Sequence, residues 1–321
     1  MPLFNVLIIG AGQVGAFYDQ PDSPHILSHA HAFSSHPGFR LQGFFDSNSE
    51  QAQKAARIWG GEAFPDWEAA IVSRNIEVVV LAVPDEYHFP YLKALAAHDL
   101  RLLVAEKPLV LTAEQLETIQ DLYAASSIGI AVNYSRRYAP EYQVLREKIL
   151  SGYYGYFMTG NGYYGKGLLH NGSHMLDLLR YLIGEIRGGT PLRAINDWSL
   201  HDPSLSAILE FESGALFCMG VIDCRCYSIF EMELLFTKAR IRIVDSGFFI
   251  EEYWPGESGI FASYRNLKFR QKYETSLNQS LYHLACNVYN YLVEQEPLRC
   301  TLEDAGRAVL LSEVLRKAIP S

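Results

Sequence analysis

Cysteine is scarce in this chain: five residues in 321, an odd number and scattered. That pattern does not suggest a disulfide framework. Cys224 and Cys226 form a CxC, but no second ligand pair lies near them in sequence. They read as alternate positions on a strand rather than half a zinc site, and no metal is expected. No apolar run approaches the roughly 18 residues that a membrane span needs, so no membrane partner is expected. Positive charge is in deficit, with 27 Lys and Arg against 36 Asp and Glu, a net charge of −9. A nucleic-acid binder presents a basic face, so no nucleic-acid partner is expected either. The opening MPLFNVLIIG lacks the basic start of a signal peptide and runs straight into a glycine loop, which makes the cytoplasm the expected compartment. Internal repeats and low-complexity segments are also missing. What the chain does have is apolar material, 49% of residues against 20% charged, enough for a large core. Its length suggests about two domains.

Short, nearly continuous apolar runs recur through the first half: FNVLII (4–9), LQGFF (41–45), IEVVVLAV (76–83), LRLLVA (100–105) and IGIAV (128–132). Strands buried on both faces look like this. Segments with helical spacing separate them, Ser49 and Thr112 serve as N-caps, and Gln115 completes a capping box with Thr112. Alternating strands and helices predict an α/β fold with a parallel, doubly wound sheet.

The first strand runs into GAGQVG, with Gly10, Gly12 and Gly15 around Gln13 and Val14. Directly after a strand, this is the setting of a dinucleotide-binding turn. The first glycine permits the tight turn, the second lets backbone approach a pyrophosphate, and the third packs helix on strand. The helix that follows would turn its N-terminus to the phosphates. The second strand ends in Asp46, where an acid bonds a ribose 2′-hydroxyl. NAD is therefore expected rather than NADP. Asp46 comes 34 residues after Gly12, further than the usual ~20. Pro21 and Pro24 cannot sit inside a regular helix, so a loop is inserted there, with helix resuming near Ser28. His29 and His31 follow; an HxH on a helix points its rings to different faces, against a shared metal.

The fourth apolar run ends in Ala105-Glu106-Lys107-Pro108. A lysine at the carboxyl edge of a parallel sheet lies where such folds bind ligands. Together with GAGQVG, Asp46, AVPDEYH (82–88) and NYSRRYAP (133–140), this resembles the Gfo/Idh/MocA oxidoreductases. GSHMLDLLRYLIG resembles their second-domain helix, and TLEDAGRAVLLSEVLRKAI (301–319) their closing helix. The resemblance implies an N-terminal Rossmann domain, 1–135, and a C-terminal α+β domain, 136–321, with a large open, mainly antiparallel sheet that binds substrate and pairs subunits into a homodimer or homotetramer. It implies NAD or NADP as cofactor and a sugar, cyclitol or nucleotide sugar as substrate. Lys107 would contact the reacting oxygen and His174 would be the acid/base. Pro84, His88, Glu106, Lys107 and Arg137 would lie near the cofactor, and the Lys107–Pro108 bond would be cis, swinging the lysine toward the nicotinamide. One position departs: many members carry aspartate four residues before the histidine, where this chain has His170.

In the second half, PEYQVLREKILSG reads as a linking helix, with Pro140 in its first turn and Gly152 at its end. YYGYFMTGNGYY suggests a strand, 204–222 a hairpin turning near Ser213-Gly214, 230–253 at least two more strands, and 276–295 a helix. His283 on that helix reads as a packed or surface residue.

Hydride transfer from a carbinol needs a base for the hydroxyl proton and a cation for the developing oxyanion. Lys107 and His174 suit these roles, meeting across a cleft. His170 could orient His174, contact substrate or line the cleft. Asp177, one turn after His174, could hold its ring; otherwise it is a first-turn helix acid. Gly172 and Ser173 would let the chain enter the helix just before His174. The leading function is an NAD(P)-dependent dehydrogenase or reductase. Its alternatives are redox-neutral glycoside cleavage with recycled NAD, and a non-catalytic dinucleotide-sensing protein.

Overall fold

A computed structural model describes residues 2–319; Met1, Pro320 and Ser321, at the ends of the two expected domains, lie outside it. The chain divides into two compact units. The first runs to Tyr138 and takes in Asn278–Val309; the second holds Ala139–Leu277 and the segment from Leu310. The first break falls close to the expected 135, but the later return of the chain to the first unit does not follow from the sequence reading.

In the first unit, β1 (Phe4–Ile9), β2 (Phe39–Phe45), β3 (Glu62–Ala63), β4 (Val78–Leu81), β5 (Leu102–Ala105) and β6 (Gly129–Val132) form one sheet in the order β3-β2-β1-β4-β5-β6. Every pairing is parallel. The strand order reverses between β1 and β4, the place where such sheets bind ligands. Helices α1 (His29–Ser35), α2 (Ser49–Trp59), α3 (Trp67–Ser73), α4 (His88–Leu95) and α5 (Ala113–Ala124) connect the strands. Ser28 caps α1 by accepting the His31 N–H, and Thr112 caps α5 by accepting that of Gln115. The cap of α2 is Asn48 rather than Ser49.

Two elements here carry no signal in the apolar pattern. β3 is only two residues long. α3 is announced by its cap alone, Asp66, whose Oδ1 accepts the Glu68 and Ala69 N–H groups at 2.9 and 3.1 Å. The Glu106-Lys107-Pro108 turn therefore follows the fifth strand, not the fourth. The glycine loop is also followed by a single π-turn, Gln13–Phe17, instead of a full helix. The inserted loop then leads to α1 where the sequence places it.

Among the described residues of the second unit, α6 (Pro140–Leu150) and α7 (Ser173–Leu182) accompany eight strands. These are β7 (Phe157–Tyr164), β8 (Ile186–Ser199), β9 (Asp202–Phe211), β10 (Leu216–Val221), β11 (Glu231–Phe236), β12 (Arg240–Val244), β13 (Phe249–Glu257) and β14 (Arg265–Glu274). They lie in the order β14-β13-β12-β11-β7-β10-β9-β8, antiparallel except for β7 against β10. Tyr142 and Leu145 of α6 and Met175, Leu176 and Leu179 of α7 share one core with Leu209, Phe217, Leu234 and Ile241 of the sheet. The β9–β10 hairpin turns at Gly214, as expected.

β8 and β14 are the strands the apolar pattern does not show. Both are edges. β8 carries Gly188, Gly189 and Pro191, tolerated because an edge strand has an unpaired side. β14 is exposed along nearly its whole length and carries Arg265, Lys268, Arg270 and Lys272, the charges that keep an edge from pairing further. The other late helices are α8 (Ser280–Glu294) and α9 (Leu302–Lys317). In the first unit, Tyr289 of α8 packs against Phe4 and Phe39, with ring centroids 6.0 and 5.9 Å apart.

Candidate active site

The carboxyl ends of β1, β2 and β4 frame a cavity of about 520 Å³ in the first unit. Gly10, Gly12, Gln13, Val14, Asp46 and Pro84 line it, six of the expected cofactor residues. The glycines divide their roles as backbone geometry demands. Gly10 has φ +98°, and a Cβ there would run into the Ala82 carbonyl. A Cβ on Gly15 would strike the Gly10 carbonyl oxygen. At Gly12 a Cβ would meet nothing within 4 Å, so the backbone is open on the side a pyrophosphate approaches. Asp46 Oδ2 accepts the Ala11 N–H at 2.8 Å and Oδ1 the Asn48 N–H at 2.8 Å. The acid thus ties the glycine loop to the end of β2 and keeps lone pairs for a ribose hydroxyl. The residues fit a dinucleotide.

Tyr18, Tyr87 and Tyr91 also line the cavity, and sequence reasoning did not single them out. Burial first, then the Asp46 charge, push the Tyr91 phenol up, so it stays protonated. Tyr18 and Tyr87 are largely exposed aromatics beside a motif, and that pairing was the available signal.

Gly15, His88, Glu106, Lys107 and Arg137 stand outside this lining. His88 is buried, with Nδ1 2.6 Å from the Pro108 carbonyl oxygen and Nε2 2.9 Å from that of Val83. It clips the turn after β5 to the turn after β4. Arg137 is buried against the start of α9, with Nη1 3.2 Å from Asp304 Oδ1 and 3.1 Å from the Arg299 carbonyl. The Lys107–Pro108 bond is cis. Lys107 is half-buried and Glu106 beside it is buried. Glu106 Oε1 takes His29 Nε2 at 2.8 Å and Asn133 Nδ2 at 2.7 Å. Burial works to raise this carboxyl, but the bond to His29 and its charge, then the Asn133 bond and the Lys107 charge, prevail and hold it below the usual carboxylate range.

In the second unit the segment around His170 and His174 departs from the expected helix start. Helical winding begins five residues before α7, as a π-turn over Leu168–Gly172, and continues through Gly172 without a break. Its first N–H groups are capped by a carboxylate from the start of β9: Asp202 accepts from Leu169 and His170, each at 2.8 Å. Burial, the largest influence, pushes Asp202 above the usual range, and these two bonds oppose it. A second acid, Asp197, accepts the Lys166 N–H at 2.7 Å, the Ser204 hydroxyl at 2.7 Å and the Cys224 N–H at 3.2 Å. Burial raises Asp197 too, but those bonds win and lower it. Cys224 and Cys226 lie on a turn, not a strand, and the Cys224 thiol donates to the Asp197 carbonyl at 3.3 Å.

The His170 ring stacks on Trp198, centroids 5.2 Å apart and planes at 23°. His174, in the first turn of α7, is half-buried, and Asp177 is buried. His170 and His174 are thus separated by a π-turn rather than by regular α-helical i,i+4 geometry. Asp197, Asp202 and Trp198 carried no sequence signal, because they come from strands about 30 residues downstream. Asp202→Ala would leave two N–H groups unpaired at about 1–3 kcal/mol each, so the second unit should melt several degrees lower. A thermal melt unchanged from wild type would show the cap to be dispensable.

Comparisons with known proteins bear on the fold and the cofactor. Residues 4–134 match the sequence model of the Gfo/Idh/MocA group, described as an oxidoreductase family with an NAD-binding Rossmann fold. A levoglucosan dehydrogenase of Pseudarthrobacter phenanthrenivorans is 28% identical over 44% of this chain and 42% of its own length. A D-glucoside 3-dehydrogenase of Escherichia coli is 29% identical over 56% of this chain and 54% of its own. The matched stretch spans about half the length of these curated relatives. A UDP-N-acetylglucosamine 3-dehydrogenase from Acidithiobacillus ferrooxidans superposes with a TM-score of 0.77 at 18% identity, covering 99% of this chain and 98% of that one, and shows the same fold. Over residues 4–134, this chain is similar to the Gfo/Idh/MocA oxidoreductases and carries the fold of their NAD-binding unit.

Proposed function

We propose that the protein is an NAD-dependent dehydrogenase or reductase that moves a hydride between the nicotinamide and a ring carbon of a sugar, cyclitol or nucleotide sugar. The carrying observation is the cavity at the β1/β4 switch point, with Gly12 open and Asp46 at its β2 side. The related dehydrogenases named above support the substrate class. The dinucleotide would supply the hydride acceptor. Gly10, Gly12, Gln13 and Val14 hold its phosphates and Asp46 its ribose. Lys107 supplies a cation for the substrate oxygen and His174 takes or gives its proton. A panel of sugars, inositols and nucleotide sugars, followed by nicotinamide absorbance, tests this. Absence of net NADH formation or consumption with every member would reject it.

Asp46 also sets the choice of cofactor. It accepts from a ribose hydroxyl and repels a 2′-phosphate, and Ser47-Asn48-Ser49 offer no arginine to clamp one. Calorimetry should show NAD binding more tightly than NADP. A hydrogen bond to a charged group is worth about 1.5–3 kcal/mol, so Asp46→Ser should narrow the preference by roughly ten- to a hundredfold. Tighter NADP binding in the wild type would overturn the assignment. The sheet of the second unit exposes Met158, Tyr163 and Leu216, and we place pairing with a second copy there, measurable by light scattering. The working compartment in this proposal is the cytoplasm.

A further inference from the structure

His29 and His31 take unrelated partners. His31 Nδ1 bonds Asp19 Oδ2 at 2.7 Å, and Asp19 also accepts the Leu27 N–H at 2.7 Å and the Ser28 hydroxyl. These contacts pin the inserted loop to the start of α1. His29, the first residue of α1, points elsewhere: its ring is fully buried and Nε2 lies 2.8 Å from Glu106 Oε1 at the end of β5. Asn133, just past β6, donates to the same oxygen. We propose that His29 is a positioning residue for Lys107: by donating from Nε2 it fixes the buried Glu106 carboxylate, as an anion, next to the lysine. This rests on the dehydrogenase reading for what Lys107 does, but not for the His29 contact itself.

The chemistry of the ring supports it. His29 Nδ1 is buried without a hydrogen-bond partner among the described residues. A ring carrying its proton on Nε2 donates where the carboxylate needs a donor. Nδ1 is left unsatisfied, a cost the native fold accepts to keep a donor on Glu106. A buried anion persists only when donors hold it. Glu106 has His29 and Asn133, and the charge of Lys107 favours its ionised form as well. By the same attraction, in this proposal the anion favours the charged form of Lys107. In this arrangement Lys107 acts as a cation toward the substrate oxygen, and proton transfer is left to another group. Histidine carries the donor where an aliphatic residue would fill the same space and leave the carboxylate with one donor fewer.

The test uses the full-length protein and the variants His29→Leu and His29→Gln. Leucine removes the donor, whereas the glutamine amide nitrogen can occupy the place of Nε2. Three quantities are read: kcat and KM with the substrate found on the panel, the pH dependence of acetylation at the Lys107 amine by mass spectrometry, and the thermal melt. His29→Leu should lower kcat by about 10–100-fold, the worth of a hydrogen bond to a charged group, with KM for NAD little changed. Lys107 in that variant should become reactive at lower pH than in the wild type. His29→Gln should restore most of the rate and the wild-type acetylation profile. If leucine fails to fold, His29→Asn replaces it, since its amide is too short to reach Glu106. Wild-type acetylation of Lys107 in the donor-less variant overturns the proposal, as does a glutamine variant no better than leucine. A wild type inactive on the whole panel would instead reject the dehydrogenase reading, and the acetylation profiles would still decide the role of His29.

Discussion

Lys107→Met should lower turnover by about 10²–10⁴-fold, while the dinucleotide still binds. Methionine keeps most of the length of the side chain and removes its charge. As a carbinol gives up hydride and proton, negative charge gathers on its oxygen, and a cation placed there in advance stabilises it more than the ground state. The cofactor cavity is built from other residues, the glycine loop, Asp46 and Pro84, so its affinity should survive. The loss should appear in kcat rather than in the cofactor dissociation constant. Near-wild-type kcat in this variant would make Lys107 a surface residue of the turn after β5.

His174→Ala should cost turnover a similar factor, about 10²–10⁴-fold, because it removes the proposed acid/base. A histidine at a helix start would feel the N-terminal dipole, which disfavours the charged ring. Here the helical winding begins at Leu168, and Asp202 already caps it, so His174 lies beyond the first turn where that effect fades. His170→Ala should cost less, since the ring rests on Trp198. Equal and severe losses in both variants would instead join the two histidines in one relay.

How well the fold reads from the sequence depends on burial. The five long apolar runs all become sheet strands, because parallel strands covered on both faces must be apolar throughout. β3 and α3 leave little trace, since two residues make no pattern and a seven-residue helix shows only its cap. β8 and β14 escape for the opposite reason. Edge strands carry glycine, proline and charge, the residues that otherwise mark loops.

By itself the sequence determined the dinucleotide cavity. GAGQVG and Asp46 sit at the ends of strands whose parallel arrangement follows from alternating elements, and local backbone chemistry fixes what each glycine does. Only the tertiary structure decided the surroundings of the proposed catalytic residues. Glu106 owes its charge state to His29 and Asn133, 77 and 27 residues away along the chain. The π-turn before α7 is capped by Asp202, 32 residues beyond His170. His88 and Arg137 hold backbone and an ion pair instead of lining the cavity. These are side-chain contacts between strand ends and turns distant in sequence. A hydrophobic period records which face of an element is buried, but not which polar group will meet it there.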